Sequence, residues 1–360
     1  MIASDVKEIA LVTYGRQQAI ARRAAARVRT LWRQIDRGDI SGSWEDLAPQ
    51  LVTAVTEAQT KAAALADPYL DDVLAAEGAD AAGARLVPGA LAGIASDGRP
   101  LISLLYQPVI DWKVRLAAGQ SPDDAFRGSL ASALRITGTQ VADAGRGATG
   151  AAMAGRRTIQ GYVRVVQPPA CGRCIILAGK EYGWNRGFQR HPRCDCIHLP
   201  TTLIARNQHR GRLGSDSFTP TTRPGGGAAG FLDPRAYFGS LSRAEQNRVF
   251  GEAGARAIRE GADMAQIVNA RRGMQTMTAY GRRVLATTEG ATRRGAFYRL
   301  ERARTEARTG TRFARDRIEA RRGLPRFELR TPRLMPDEIY RLAQSRDEAV
   351  RMLRRFGYLQ

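Results

Sequence analysis

Histidine, cysteine and lysine are scarce in this sequence, and it has no long apolar run. Its 360 residues include three histidines and four cysteines, and only four of its 56 cationic residues are lysine. No stretch approaches the ~20 apolar residues that span a bilayer, which argues against a membrane protein. The N-terminus also lacks the positive charge and following apolar segment of a secretory signal, so we expect synthesis in a cytosol.

Acidic residues are too few to balance the cations. The formal net charge is +21, and the sequence pI is about 10.9. Part of the arginine content is typical of GC-rich coding, but the excess of cations over acids does not follow from codon usage. A polyanion is therefore the expected partner, because neutralising phosphates releases their counterions.

The first part of the chain follows a helical pattern. Apolar residues recur at helical spacing within 5–35, which predicts one long helix. A second helix is expected to open at Ser43, a shorter one to lie at 69–77, and another to cover 101–118. Ser121, followed by proline and two acids, is a strong start signal for a helix that reaches at least Arg146.

Beyond that helix the pattern changes. Residues 162–166 are rich in β-branched side chains and predict a strand, and the capping box of Ser242 and Glu245 predicts a helix reaching Glu260. We find no internal repeat. The predicted fold class is mainly α with a small β/zinc-knuckle unit. The predicted organisation is a helical N-terminal domain (1–155), a zinc-binding β hairpin module (156–210), a flexible Gly/Pro-rich linker (211–233) and a basic helical C-terminal region (234–360).

All four cysteines lie in one short segment. A C-x2-C pair is followed, after sixteen residues, by a His-x2-Cys-x-Cys cluster. Such spacing brings two pairs of ligands to one tetrahedral zinc ion, and four protein ligands leave no open position for catalysis. More ligands are present than four positions require, and His198 is the weakest candidate. The candidate metal ligands are Cys171, Cys174, His191, Cys194 and Cys196.

Two other interpretations of the cysteines stay open. Four unrelated buried thiols are one, although such cysteines seldom cluster in this way. A redox C-x-x-C motif is the other, but such motifs usually open a helix in a βαβ unit. Here Cys171 follows a predicted strand and is expected to lead into a glycine-rich hairpin. In a cytosolic protein we therefore favour a structural Zn2+ as the cofactor.

Two segments around the cysteines resemble the Mu F-like minor capsid proteins of tailed bacteriophages, in the form found in phages of actinobacteria. They are Gly161–Cys174, with the C-x2-C motif, and Gly187–Cys196, with a His-Pro-x-Cys-x-Cys motif. Asp195 stands where the wider family often has a basic residue, which reduces direct nucleic-acid contact at the knuckle. Further similar segments are 244–250, 269–273, 287–290 and 333–336, so the resemblance covers roughly 155 to the end.

The resemblance implies a low-copy structural protein of the phage head, active in head morphogenesis. It implies a place inside the capsid near the portal, after synthesis in the bacterial cytoplasm, and roles in head assembly and in DNA packaging or ejection. The expected partners are the portal protein, the major capsid or scaffold proteins and double-stranded DNA, with no membrane. Composition alone indicates only a basic protein made in a cytosol.

A capsid maturation protease is the alternative function, because relatives of this kind are often described so. A serine protease needs a nucleophile, a base and an orienting group. His209 with Ser215 or Ser217 is the conceivable catalytic set. These residues lie at the edge of the predicted linker, and such a segment is a poor place to hold catalytic side chains in a fixed geometry. No G-x-S-x-G motif occurs. We therefore expect a structural protein without catalytic residues.

A DNA-binding protein is the second alternative. The most basic segment, 281–330, holds 15 arginines against 6 acids, and these acids are interleaved with the arginines. Its aromatic residues Phe297, Tyr298 and Phe313 have helical spacing, which is more typical of a core than of base stacking. We find no recognition-helix motif and expect nonspecific contacts to duplex phosphates. The candidate residues are Arg302, Arg304 and Arg308, with further arginines on the first helix.

Overall fold

Two units make up the part of the chain that the computed structural model describes. The N-terminal unit comprises residues 1–168 and 178–232, and the C-terminal unit comprises residues 169–177 and 233–360. The four-part organisation derived from the sequence stays a prediction. The described residues are 2–185, 196–202, 232–279, 281–292 and 295–359.

Helices dominate the described part of the N-terminal unit, and a small antiparallel sheet completes it. The helices are α1 (Ile2–Trp32), α2 (Ile40–Ala63), α3 (Ala66–Ala76), α4 (Leu101–Leu105), α5 (Gln107–Ala117) and α6 (Pro122–Ala154), with a 3-10 turn at Pro88–Leu91. The strands are β1 (Gly161–Val166), β2 (Glu181–Gly183) and β3 (Cys196–Thr201). α6 is the central helix, because α1, α2, α3 and α5 all pack against it.

The core of this unit lies where the apolar faces of α1, α2 and α6 meet. On α1, Val28 and Trp32 are buried, as are Leu51 and Val55 on α2. The indole Nε1 of Trp32 donates a buried hydrogen bond of 3.3 Å to Ser129 Oγ on α6. Burial of each large apolar side chain stabilises a fold by about 1.5–3 kcal/mol. One face of α1 is therefore firmly held.

The predictions for the two longest helices are confirmed. α1 covers most of 5–35, and α6 extends past Arg146 with Ser121 as its N-cap. The Ser121 hydroxyl accepts the backbone N–H of Asp124 at 3.2 Å, and acids in the first turn suit the positive end of the helix. Both helices have the length of a membrane span but not its composition. Within the described residues, no helix combines sufficient length with sufficient apolar content to cross a bilayer.

The start of α2 corrects one prediction. The helix begins at Ile40 and not at Ser43, because Asp39 is the N-cap and accepts the backbone N–H of Gly42 at 3.0 Å. Ser43 instead donates through Oγ to the carbonyl oxygen of Asp39 at 2.6 Å. Aspartate caps a helix about as well as serine does. The sequence therefore carries two start signals, and the earlier one is used.

The helix predicted over 101–118 is also corrected, since the structure has two shorter helices there. α4 ends at Leu105 and α5 begins at Gln107, with Tyr106 between them. Pro108 has no N–H to donate, and its ring clashes with the turn before it. Proline is tolerated in the first turn of a helix, and Pro108 lies in the first turn of α5, where the chain restarts as a new helix.

β1 is the central strand of an antiparallel sheet with the order β2–β1–β3. It confirms the strand predicted at 162–166. Val163 and Val165 lie opposite Leu199 and Ile197 in the β1–β3 ladder. All four side chains are buried in one apolar cluster with residues of α3 and α6. This packing fixes the position of β3, which begins at one of the predicted metal ligands.

The C-terminal unit combines short helices with a second small sheet of order β4–β5–β6. Its helices are α7 (Gly172–Ile176), α8 (Pro234–Ser240), α9 (Arg243–Phe250), α10 (Glu252–Arg259), α11 (Met264–Ala270), α12 (Ala296–Thr309), α13 (Arg317–Arg321), α14 (Pro336–Leu342) and α15 (Arg346–Arg355). Its strands are β4 (Met274–Ala279), β5 (Arg282–Thr287) and β6 (Arg333–Leu334), and a 3-10 turn covers Arg271–Gly273.

The capping box predicted at Ser242 is confirmed. The Ser242 hydroxyl accepts from Glu245 N at 3.3 Å, and the Glu245 carboxylate accepts from Ser242 N at 2.9 Å. The helix does not reach Glu260 in one piece, because α9 ends at Phe250 and α10 follows after Gly251. Gly251 has φ of +75°, a left-handed backbone that glycine adopts at little cost. That conformation breaks the helix.

The sheet β4–β5–β6 lies within the region predicted to be helical. Val284 and Ala286 on β5 are buried at 1% and 0% exposure, and Leu285 between them is less buried. This alternation is the signal of a strand, but it is short and lies directly after two arginines. The mainly helical class is confirmed, and the C-terminal region predicted as helical contains this small antiparallel sheet as well.

Candidate metal centre and basic surfaces

Cys171 and Cys174 lie at the start of α7, in the C-terminal unit. Cys171 is the N-cap of this helix, and its Sγ accepts the backbone N–H of Cys174 at 3.4 Å. Cys171 is exposed, whereas Cys174 is buried. Cysteine binds metals as the thiolate, whose sulfur can also accept a backbone N–H of this kind. The pair therefore has local geometry that suits a C-x2-C ligand pair.

The structure corrects the expectation that Cys171 leads into a glycine-rich hairpin, because α7 follows it directly. α7 packs on α11, and a Cβ added at Gly172 would lie 3.2 Å from the ring of Phe250. The absence of a side chain at Gly172 thus permits this close approach. Redox C-x-x-C motifs also lie at the start of a helix, so the redox interpretation stays beside the metal interpretation.

Cys196 and His198 lie on β3, in the N-terminal unit. Cys196 is 1% exposed and lies opposite Val166 in the β1–β3 ladder. Arg146 of α6 donates from Nη1 to the carbonyl oxygen of Cys196 at 3.4 Å. The ring of His198 stacks on Tyr162, with the ring centroids 4.2 Å apart. The sheet and α6 therefore hold the backbone of Cys196, and an aromatic neighbour orients His198.

The other predicted ligands, His191 and Cys194, lie outside the described residues. Among the residues that are described, no three His, Cys, Asp or Glu side chains are grouped so that they could hold a metal ion. Zn2+ therefore stays a predicted cofactor. His209, Ser215 and Ser217 of the protease alternative also lie outside the described residues.

A crevice of about 250 Å3 with a mixed polar and apolar lining lies between α1, α6 and the start of β3. Its lining includes Tyr14 and Gln17 of α1 and Arg135, Thr139 and Arg146 of α6. These residues present phenol, amide, hydroxyl and guanidinium groups. The crevice is smaller than most small-molecule sites, which occupy roughly 300–1,000 Å3. We do not regard it as an active site.

Two of the three predicted DNA-contacting arginines make contacts within the C-terminal unit. The Arg302 side chain is 16% exposed, with its Nε 3.9 Å from a Glu306 carboxylate oxygen. Arg304 donates from Nη1 to Glu301 at 2.8 Å and to the carbonyl oxygen of Arg355 at 2.7 Å. Such pairs neutralise charge that phosphates would otherwise use. The role of Arg302 and Arg304 in binding DNA stays a prediction. Because both side chains have partners within the unit, less positive charge is available to phosphates than the sequence indicates.

Arg308 and the arginines of α13 are more accessible. Arg308 is exposed in the last turn of α12, and Arg317 and Arg321 are exposed on α13. Asp316 begins α13 by accepting the backbone N–H groups of Ile318 and Glu319, both at 2.8 Å. Sequence reasoning did not single out the α13 arginines, although Asp316 is a recognisable N-cap signal.

The aromatic residues of this region belong to its core. Phe297 is 0% exposed and Tyr298 is 8% exposed. Phe327 contacts Tyr298 and Phe313 edge to face, with centroid distances of 5.1 and 5.4 Å. The Tyr298 hydroxyl also donates to the carbonyl oxygen of Phe327 at 2.7 Å. The interpretation of these rings as core residues is confirmed for Phe297 and Tyr298, which are not available to stack on bases.

Comparison with known protein families gives a match over the first part of the chain. The family model described as VG15 protein matches residues 4–210, more than half of the chain. The matched range includes α1–α6, β1–β3 and all five predicted metal ligands. No curated protein and no solved structure matches the chain.

Proposed function

We propose, from the premise that this chain belongs to the VG15 protein family, that it is a structural minor capsid protein of a tailed bacteriophage. The family is associated with phages, and the chain is accordingly a phage protein. The proposed position is the inside of the head near the portal. The proposed roles are head assembly and DNA packaging or ejection.

The family match over residues 4–210 is the observation that carries this proposal. It overlaps the segments around the cysteines that resemble Mu F-like minor capsid proteins, and both similarities support a phage protein. The net charge of +21 also supports the proposal, because it makes a polyanion a suitable partner. The proposed partners are the portal protein, the major capsid or scaffold proteins and double-stranded DNA.

We include one structural Zn2+ in the proposal. The supporting observation is the Cys171–Cys174 pair, in which a backbone N–H is directed at the Cys171 sulfur. His191, Cys194 and Cys196 are the candidates for the remaining positions, and the structure describes Cys196 alone among them. A zinc ion held by four protein ligands contributes folding free energy and leaves no position for a reactive water.

The proposal assigns no catalytic residue. A capsid maturation protease is the competing function, and it would depend on His209 with Ser215 or Ser217. These residues lie outside the described part of the chain, and we keep that function as an outcome that an activity assay can reveal.

Virion composition tests the proposed function. Particles purified from the phage should contain this chain at low copy relative to the major capsid protein, measured by quantitative mass spectrometry. Because the proposed position is internal, the chain should resist added protease in intact particles and become sensitive after the heads are opened. The portal protein serves as an internal reference for copy number.

Deletion of the gene gives the second arm of this test. Loss of the chain should reduce the yield of DNA-filled heads, and expression of the wild-type chain in trans should restore it. Absence of the chain from purified particles, together with normal infectivity of the deletion phage, would contradict a structural role in the head.

A further inference from the structure

The solvent face of α1 carries an unusual concentration of positive charge. Between Ile9 and Ile35 the sequence contains no Asp or Glu. The same stretch contains six arginines, all exposed, and in the described part of the chain none of them forms an ion pair with a carboxylate. They are Arg16, Arg22, Arg23, Arg27, Arg29 and Arg33.

Helical spacing sorts these arginines into two rows. With 3.6 residues per turn, residues 16, 23 and 27 fall on one line along the helix, which we name row A. Residues 22, 29 and 33 fall on a second line about 120° away around the axis, which we name row B. The first and last arginine of each row are eleven positions apart, or about 16 Å at 1.5 Å per residue.

Small side chains fill the strip between the two rows. Ala19, Ala26 and Thr30 lie there, and the last two are exposed. Thr30 turns its hydroxyl back to the carbonyl oxygen of Ala26 at 3.2 Å. The strip therefore has no bulky group, and a flat or rounded partner can approach the backbone of α1 while arginines reach around it from both sides.

The opposite face of α1 is fixed in the core. Val28 is 0% exposed and Trp32 is 1% exposed, and the Trp32 indole is hydrogen-bonded to α6. The helix that carries the two rows is thus held rigidly by packing. Such preorganisation lowers the entropy lost when a partner binds.

We propose that this face of α1 binds the sugar-phosphate backbones of duplex DNA without reading base sequence. Over about 16 Å of axis, each strand of a duplex presents about five phosphates, enough for the three arginines of a row. The major groove is about 12 Å wide and admits an α-helix, so the two rows face opposite groove walls. The small residues between them offer little base-edge hydrogen bonding, which explains why the contact is independent of sequence.

Duplex DNA is favoured over an acidic polypeptide because the charges lie in two straight rows on a rigid helix. Two parallel rows match the two phosphate strands that border a groove, whereas an acidic peptide presents a single flexible line of charge. The inference rests on the proposed function in one respect, because a protein inside the phage head is in contact with packaged DNA. It can fail separately, since DNA binding is measured with purified protein and the proposed function is measured in particles.

Binding of the full-length chain to a labelled 30-base-pair duplex tests the inference. Fluorescence anisotropy is recorded from about 50 to 200 mM salt. Replacement of row A (R16Q, R23Q, R27Q) or row B (R22Q, R29Q, R33Q) should weaken binding by about tenfold at the lowest salt. Each replacement should flatten the log–log salt slope by up to about three units, because each lost phosphate contact contributes about 0.9.

Three controls accompany these variants. Lysine in place of all three arginines of a row keeps the charge and should retain binding within about threefold, since the counterion release that drives nonspecific binding depends on positive charge, which lysine also carries. The exposed set R317Q, R321Q and R322Q, on α13 and the residue that follows it, removes the same charge from the other unit and should change the slope less than either row does. Circular dichroism should give unchanged melting for all variants, because the altered side chains are exposed.

The outcomes separate the alternatives. A loss confined to the α1 variants, equal on the duplex and on a scrambled duplex, supports the inference. Three results would overturn it: unchanged binding by the row variants, equal losses for the lysine and glutamine variants, or tighter α1-dependent binding of poly-glutamate than of the duplex. The last result would assign the face to an acidic protein.

Discussion

The guanidinium of Arg333 donates from Nε to the carbonyl oxygen of Phe356 at 2.9 Å. Its other donors reach the carbonyl oxygens of Glu289 at 3.0 Å and Gly357 at 3.3 Å, and the amide oxygen of Gln266 at 3.0 Å. The residue is 1% exposed. One buried cation on β6 therefore ties the end of α15, the segment after β5 and α11 to one another.

Arg333→Met should destabilise the C-terminal unit strongly. The substitution leaves the carbonyl oxygens of Phe356 and Glu289 buried without their donor, and each such loss costs about 1–3 kcal/mol. We expect the free energy of unfolding to fall by about 3 kcal/mol or more, measured by urea denaturation with hydrogen exchange in the C-terminal unit. Arg330→Met is the matched control, because that side chain is 88% exposed and should change stability by less than about 1 kcal/mol. Equal stability of the two variants would contradict this role.

Glu338 should make the C-terminal unit sensitive to acid. The hydrogen bond from Arg341 lowers the pKa of Glu338 below its ordinary value of 4.5, against an opposing effect of burial. Because the pKa is lower in the folded state than in the unfolded state, the stabilisation is present above pH 4.5 and is lost as the pH falls through the folded-state pKa. Glu338→Gln should therefore be less stable than wild type at pH 7, and the difference should shrink towards pH 3.

Urea denaturation at several pH values checks this prediction. Glu328→Gln is the control, since the Glu328 side chain is 82% exposed and should leave the pH profile unchanged. A stability difference for Glu338→Gln that stayed constant from pH 7 to pH 3 would mean that its carboxylate does not titrate in this way.

Purified protein should contain about one zinc ion per chain, because the predicted ligands form a single closed set. Cys171→Ser and Cys174→Ser should each lose the metal and lower the stability of the chain, since binding energy at such a site is folding energy. His209→Ala lies outside the predicted ligand set and should retain the metal. Elemental analysis and thermal melting provide the measurements.

Thiol titration separates the zinc prediction from its redox alternative. A metal-free protein in which Cys171 and Cys174 form a disulfide under air, and regain two thiols with a reductant, would replace the zinc interpretation by the redox one. A fully folded, metal-free protein with both thiols reduced would support neither.

Proteolytic activity should be absent. Coexpression with the major capsid protein of the same phage should leave that protein uncleaved, as judged by intact mass. Ser215→Ala, Ser217→Ala and His209→Ala cover the conceivable catalytic set. If cleavage occurs with the wild-type chain and any one of these substitutions abolishes it, the chain is a maturation protease.

Arg304 and Arg308 should behave differently although both lie on α12. Arg304→Gln removes the bond to the Arg355 carbonyl oxygen at the end of α15, so we expect a loss of about 1 kcal/mol in stability. Arg308→Gln removes an exposed charge and should leave stability unchanged. If Arg308 contacts DNA, its loss should flatten the salt slope by about one unit. Identical effects of the two substitutions on stability would contradict the contacts described for Arg304.

Several elements follow from the sequence alone because their signals act over a few residues. The caps at Ser121 and Ser242 fix helix starts through hydrogen bonds to groups three residues away. The apolar spacing of Val28, Leu31, Trp32 and Ile35 predicts the buried face of α1, and the β-branched run at 162–166 predicts β1. The close pairing of Cys171 with Cys174 was likewise evident from spacing.

The tertiary structure decided what depends on distant partners. Gly251 divides a helix only because its backbone takes a left-handed conformation, and β5 forms only because β4 and β6 pair with it on either side. The sequence predicts that Arg304 is available to contact DNA. In the structure its guanidinium donates to the carbonyl oxygen of Arg355, 51 residues away along the chain. Periodicity reports which side of an element is apolar, whereas the partner of a polar group depends on long-range packing, which local sequence does not encode.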